Sequence, residues 1–367
     1  MENINFFSTN ISENVFDELK TILKSGFISA GKQSELFESK LSDLGLVNPI
    51  TVNSGTVTMF LALLSHNIGE GDEVIVPAQT FVATGLVVKQ VGAKVVFADI
   101  NPNTGNIDVE SIKEKITKRT KAIIPVHWGG YPCDIDEINE LAKKHNLIVI
   151  EDAAHALGST YKNKPIGSLS DFTSFSFQAI KQLTTGDGGA LCCLNEEKYR
   201  KIKNLRWFGI DRENSIPTIL GERDYDLDCV GYKAHMNDIC ATVGIENLKD
   251  ADWIIGRHRD NAKFYDENLK NVKGVTLLER KPKHNSAFWI YSMLVDDRDG
   301  FYKWMKECNI VVSQVHERND KHTCVKEYKS ALPTLEKTIG KVVSIPVGWW
   351  VGDEERQYIV DCIKKGW

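Results

Sequence analysis

The chain of 367 residues has no apolar run of about 18 residues, the length a membrane-crossing helix needs, so no transmembrane span is expected. Its opening, Met1-Glu2-Asn3-Ile4-Asn5, is polar and lacks the basic-then-apolar layout of a secretory signal. No C-x-x-C pair occurs among the eight cysteines. Cys192 and Cys193 are adjacent, which suits neither a metal clip nor an ordinary disulfide. Scattered cysteines in so long a chain read as reduced thiols of a cytoplasmic protein, most of them small core residues, and no metal site is expected. Basic residues form no block and the net charge is −5, so nothing argues for nucleic acid. Internal repeats and low-complexity tracts are also missing.

What remains is the make-up of a globular enzyme, 42% hydrophobic and 26% charged. The length predicts a large domain over residues 1–250 and a smaller one over 251–367, with residues 1–25 packing against the smaller. Continuous apolar runs suit strands buried on both faces: Glu73 to Pro77, Ala93 to Ala98, Ala122 to Val126 and Leu147 to Ile150. Between the last two, Ile135, Ile138, Leu141 and Ala142 share one helical face, and Asp134 with Glu137 resembles a capping box. Alternating strands and helices predict an α/β fold with a mostly parallel sheet covered on both sides. Phe172 to Phe177 and Gly189 to Leu194 are too close for a crossover helix, so the sheet is expected to be mixed. Residues 211–228 read as a long polar loop.

Four segments carry the candidate chemistry, each at a strand end, where ligands of open α/β sheets gather. Asn53-Ser54-Gly55-Thr56 precedes a helix whose first amides suit a phosphate, although a plain N-cap reads the same way. Asp152, in Glu151-Asp152-Ala153-Ala154-His155, can accept a hydrogen bond from a protonated pyridine nitrogen; a helix cap or a metal ligand is the alternative. His155 alone reads as a structural histidine. Lys181 follows the aromatic strand Phe175-Ser176-Phe177, where desolvation would lower its pKa and make it a nucleophile toward aldehydes. In isolation it reads rather as a surface lysine. Thr184-Thr185-Gly186-Asp187-Gly188-Gly189 allows backbone to approach a bulky ligand, or simply turns a hairpin. The order decides among these readings. A strand-end Asp, about two dozen residues, Ser-x4-Lys and a glycine-rich turn fit a cofactor with a phosphate, a ring nitrogen and an aldehyde, namely pyridoxal 5'-phosphate.

With these motifs together, the chain resembles the nucleotide-sugar aminotransferases of DegT/StrS type. The likeness is carried also by Gly69 to Pro77, Thr80-Phe81-Val82-Ala83-Thr84 and Thr120 to His127, and is strongest over roughly residues 25 to 250. It implies the aspartate aminotransferase-like architecture of fold-type I pyridoxal phosphate enzymes, with a smaller α+β C-terminal domain. It implies that Lys181 holds the cofactor and later moves the proton, and that Asp152 pairs with the ring nitrogen. Phe81 would stack on the ring, and Gly55, Thr56 and Ser176 would hold the phosphate. His155 stands where the family usually has glutamine, near the cofactor hydroxyl. The family's Gly-x-Asn-x-Arg-Met motif reads here Gly231-Tyr232-Lys233-Ala234-His235-Met236, so Lys233 and His235 replace the residues that reach the partner's site. Lys233 would contact phosphate as a point charge.

The implied reaction moves an amino group from an amino acid, L-glutamate above all, to a keto-deoxysugar linked to a nucleotide, in a homodimer with shared active sites. Such a reaction would serve surface-polysaccharide or glycoconjugate biosynthesis. A sugar dehydratase of the same fold is the first rival, but those relatives carry histidine where Lys181 stands. A non-catalytic protein on this scaffold is the second. An acceptor such as a keto-inositol would keep the reaction. Residues 211–228 and Val315 to His322 are expected either to line the sugar pocket or to be solvated loops.

Overall fold

Apolar runs without alternation can be buried only if both faces of the sheet are covered, and this chain covers both. The computed structural model describes residues 2–212 and 214–367. Its main sheet has β1 (Ile50–Val52), β2 (Glu73–Pro77), β3 (Lys94–Ala98), β4 (Thr120–Ile123), β5 (Ile148–Asp152), β6 (Phe172–Ser176) and β7 (Gly189–Cys193). Their order across the sheet is β1-β7-β6-β5-β4-β2-β3. β2 to β6 pair in parallel, whereas β7 is antiparallel to both its neighbours. The mixed sheet expected from the short β6–β7 connection is thus present.

Side chains alternate between two cores. Val74 and Val76 pack with Leu61, Val87 and Val88 on one face. Ile75 packs with Phe37, Ile123, Ile135 and Ile138 on the other. These side chains are fully buried, and each such burial stabilises by roughly 1.5–3 kcal/mol.

Local readings shift in two places. The run Ala122 to Val126 ends as a regular strand at Ile123, although Ile124 N–H still donates to Ile75 O and Pro125 O accepts from Asp152 N–H, both at 2.8 Å; Pro125 has no N–H to give, and Val126 keeps a single bridge to Asp152. β5 in turn extends through Glu151 and Asp152, so the carboxylate ends the strand instead of following it. The helix Ile135–His145 buries Ile135, Ile138 and Ala142 as expected, but Asp134 makes no cap. Its carboxylate is taken by Lys281 Nζ at 2.8 Å and His284 Nε2 at 3.1 Å. The His284 hydrogen bond first, and Lys281 with it, hold Asp134 down at about 2 against the opposing effect of burial. Tertiary partners have outcompeted the local amides.

A second, antiparallel sheet is formed by Val275–Leu277, Tyr291–Val295 and Val342–Ile345. It shares a core of Tyr265, Met293, Phe301 and Ile359 with the helices Ala251–Leu269, Arg298–Glu307 and Asp353–Lys365. Ile4 joins this core, its N–H donating to Asn309 O at 2.9 Å. The helix Asn14–Ser25 packs instead on Asp238–Leu248, beside the main sheet. Among the described residues, no helix is long and apolar enough to cross a membrane.

Candidate active site

The parallel strands end on a cavity of about 320 Å³ lined by Gly55, Thr56, Phe81, Asp152, His155, Ser176 and Lys181. Seven of the residues singled out in the sequence therefore converge. Lys233 does not line it. Its backbone bridges Trp207, and His235 meets the edge of that indole at 4.2 Å. His235 lines a different cavity, of about 630 Å³, with Arg206, Arg212 and Arg223. Residues 211–228 border it and are not wholly a loop, since Ile216–Pro217 and Arg223–Asp224 form a short exposed ribbon. Glu213, within that stretch, lies outside the described residues.

Asp152 is buried at the end of β5. Thr84 Oγ1 donates to its Oδ2 at 2.7 Å and the Ala154 amide to Oδ1 at 3.2 Å. Burial pushes its pKa up; the Thr84 bond is the strongest effect holding it down. Beneath it His127 and Glu151 form a fully buried pair at 2.8 Å. Cys133 N–H donates to His127 Nδ1, which leaves Nε2–H to donate to Glu151. This pair fixes the backbone that aims Asp152.

Lys181 sits on the turn after β6, and its carrier loop is tied from two sides. Trp289 Nε1 donates to Ile180 O and Thr9 Oγ1 to Ala179 O, both at 2.9 Å. Burial draws the Lys181 pKa down to about 7, against the pull of Asp152 upward. An amine with that value is substantially uncharged at neutral pH, the form that attacks an aldehyde. Its Nζ stands 3.8 Å from the Trp289 ring centroid.

The phosphate end is built by close backbone packing. Ser54 caps the helix Gly55–Ser65 by accepting from Val57 N–H at 3.3 Å. The amides before Val57 have no partner within the helix, and the helix dipole favours an anion there. A side chain at Gly55 would put Cβ 2.8 Å from Ser176 Cβ, so only glycine lets β6 close the cup. A side chain at Gly189 would put Cβ 2.7 Å from Gly55 N and Phe175 O, so that glycine serves sheet packing, whereas Asp187 and Gly188 face the cavity.

Trp289 escaped the reading from sequence, and His316 and Thr84 entered it only as members of longer segments. Trp289 stacks on His155 at 3.8 Å and 12°. His316 lines the same cavity. Thr84 was noticed only within a matching stretch. Trp289 and His316 follow Lys181 by more than 100 residues, and Ala287-Phe288-Trp289-Ile290-Tyr291 looks locally like the approach to a strand. His155 is buried, its Nδ1 without a hydrogen-bond partner. Burial first, then the charge of Lys181, push its pKa well below the ordinary value.

The model of the DegT/DnrJ/EryC1/StrS aminotransferase family matches residues 9–364. The chain belongs to that family. GDP-perosamine synthase of Escherichia coli O157:H7 is 38% identical over 74% of this chain and 72% of that protein. The UDP-4-amino-4-deoxy-L-arabinose–oxoglutarate aminotransferase of Shewanella sediminis is 36% identical over 82% of this chain and 79% of that protein. The solved structure of sugar aminotransferase CalS13 from Micromonospora echinospora superposes with a TM-score of 0.95, at 34% identity, covering 99% of this chain and 100% of that one. The protein is thus a member of a sugar aminotransferase family with the architecture of fold-type I pyridoxal phosphate enzymes, and its cofactor is pyridoxal phosphate. The residues present fit that cofactor: a glycine-built cup, a buried carboxylate, an amine of lowered pKa and an unpartnered imidazole nitrogen share one cavity.

Proposed function

We propose that the protein transfers the amino group of L-glutamate to the keto group of a nucleotide-linked deoxysugar, for building surface polysaccharides or glycoconjugates in the cytoplasm. The observation that carries this reading is Lys181, a buried amine of lowered pKa beside the buried Asp152. A lysine at this position also separates the protein from the dehydratases of the same fold. Bound pyridoxal phosphate supplies an aldehyde for amine exchange and a cationic ring that withdraws electrons.

The chain's own residues do the rest. Lys181 Nζ would hold the cofactor and, once free, would take a proton from one carbon and return it to another, as base and then acid. Asp152 keeps the ring nitrogen protonated, with Thr84 holding its carboxylate ionised. Gly55, Thr56 and Ser176 bind the phosphate. His155 gives a hydrogen bond to the cofactor hydroxyl, and Phe81, half-exposed at the mouth, stacks on the ring. The stretch bearing Lys233 and His235 reaches the second active site of a homodimer, with Lys233 on phosphate. Residues 1–250 form the cofactor-binding domain and 251–367 the smaller one. The relative named for oxoglutarate supports the glutamate/oxoglutarate pair, and both relatives named above support a nucleotide-linked sugar.

The test is initial-rate kinetics with L-glutamate and a panel of nucleotide-linked keto sugars. Parallel lines, together with visible absorbance that L-glutamate bleaches and one keto sugar restores, are expected. An intersecting pattern would argue against the scheme. Ammonia released without an amino donor would favour dehydration, and absorbance indifferent to every amino donor would favour a non-catalytic protein.

A further inference from the structure

Residues 4–12 run as a strap past the loop that carries Lys181, and the strap is tied down at both ends. At one end Ile4 N–H donates to Asn309 O at 2.9 Å and Val311 N–H to Ile4 O at 3.0 Å. Trp350 Nε1 donates to Asn5 O at 2.8 Å. At the other end Asn10 Nδ2 donates to Asp250 Oδ2 at 3.1 Å, and Ser12 N–H to Asn247 Oδ1 at 2.8 Å. Asn247 Nδ2 in turn donates to Thr184 O, just beyond Lys181, at 2.9 Å.

Between these ties the strap meets the machinery around Lys181. Phe6 is buried in a small core with Trp128, Trp289 and Ile290, against which Ile180 packs. Phe7 stacks on the Trp289 indole at 5.0 Å and 24°. That indole stacks on His155 and donates to Ile180 O. Two residues on, Thr9 Oγ1 donates to Ala179 O at 2.9 Å. The two carbonyls that precede Lys181 are thus both held by side chains from distant parts of the chain. The loop's own bonds are few and local: Lys181 N–H donates to Gln178 O at 2.9 Å, and Ile180 N–H to the Gln178 side chain at 3.1 Å. A turn held so locally opens easily, whereas a reacting amine must be kept in place, since a misplacement of about 1 Å costs on the order of a hundred-fold in rate. Neither Phe7 nor Thr9 lines the cavity, so any effect they have passes through the loop.

We propose that Phe7 and Thr9 are positioning residues for Lys181: through the Trp289 indole and the Ala179 carbonyl they clamp the loop that carries its amine. The proposal rests on Lys181 as the lysine that takes up the cofactor, and on nothing about the acceptor.

Hydrogen exchange of the cofactor-free protein, read by mass spectrometry, tests the clamp. Thr9 is exposed and Phe7 half-buried, so neither change opens the main cores. In Thr9→Val and in Phe7→Ala, a peptide spanning residues 178–185 should exchange about two- to ten-fold faster, the weight of one neutral hydrogen bond or one ring pair. The central strands around Val74 and Val149 should keep their rates. Thr9→Ser keeps the hydroxyl and Phe7→Tyr the flat ring, and both should exchange as wild type. A second readout follows the amine itself. Burial lowers the Lys181 pKa to about 7, so a loosened loop that admits water should move the pH midpoint of pyridoxal phosphate capture upward by about half a pH unit or more. The titratable groups that share its cavity, Asp152, His155, Asp187 and His316, are the same in every variant. Unchanged exchange of the loop in both variants, exchange raised equally in the central strands, or an unmoved midpoint overturns the proposal. Capture that proceeds as fast in Lys181→Ala overturns the reading of Lys181 itself, and the proposal falls with it whatever the exchange shows.

Discussion

Replacing Thr84 with valine removes almost no volume from a fully buried position but takes away a hydroxyl that donates to Asp152 and also bonds the Thr80 hydroxyl at 3.0 Å. The bond lost is a 2.7 Å donation to a buried carboxylate, for which about 1.5–3 kcal/mol is the ordinary range. At about 1.36 kcal/mol per unit, the pKa of Asp152 in the cofactor-free protein should rise by about 1–2 units. Burial already holds it above the usual carboxylate value, so the variant moves further in the same direction. The sign follows from linkage. The penalty for Thr84→Val is full above the variant's pKa, shrinks as pH falls between the two folded-state values, and vanishes below the wild-type value. Urea denaturation of cofactor-free wild type and variant across this window measures it. Thr84→Ser keeps the hydroxyl with both its contacts and should behave nearly as wild type, while Thr80→Val removes only the 3.0 Å contact and so separates it from the bond to Asp152. A stability difference independent of pH, or an equal one in Thr84→Ser, would refute the reasoning.

Three further outcomes are expected. Because burial lowers the Lys181 pKa to about 7, the rate at which cofactor-free protein captures pyridoxal phosphate should climb as pH rises through about 7 and level off well below 10; stopped-flow absorbance reads it. Trp289→Phe keeps a flat ring on His155 but strips Ile180 O of its donor, so the loop carrying Lys181 loosens. A fall in kcat of about ten-fold is expected, against about a hundred-fold for Trp289→Ala, in steady-state assays. Asp320→Ala leaves Arg318 without its buried partner and should cost about 3 kcal/mol in urea denaturation, the low end for a buried pair because the Arg318 side chain keeps 16% exposure.

Much of the scaffold was legible because it is local. The continuous runs around Val74 and Val149 can only be central strands, and the short gap between Phe177 and Gly189 forbids a parallel crossover. Asp152, Ser176 and Lys181 were legible through spacing, since strand ends of one parallel sheet meet along one edge. What stayed hidden depends on the return of the chain from the second sheet. Nothing beside Trp289 announces that its indole will lie on His155, and nothing beside His316 that it will face Phe81. Asp134 shows the same limit from the other side. Its spacing to Glu137 suits a cap, yet Lys281 and His284, nearly 150 residues away, claim the carboxylate. Lys233 was placed by likeness alone, and a single chain keeps it outside the cavity.

The central claim concerns which amine holds the cofactor. Borohydride reduction of the cofactor-loaded protein fixes the cofactor to its lysine, and peptide mass mapping then locates it. The account predicts a phosphopyridoxyl group on Lys181, in a peptide left uncleaved by trypsin at that residue. Modification of Lys233, or a label scattered over surface lysines with Lys181 unmodified, would contradict it.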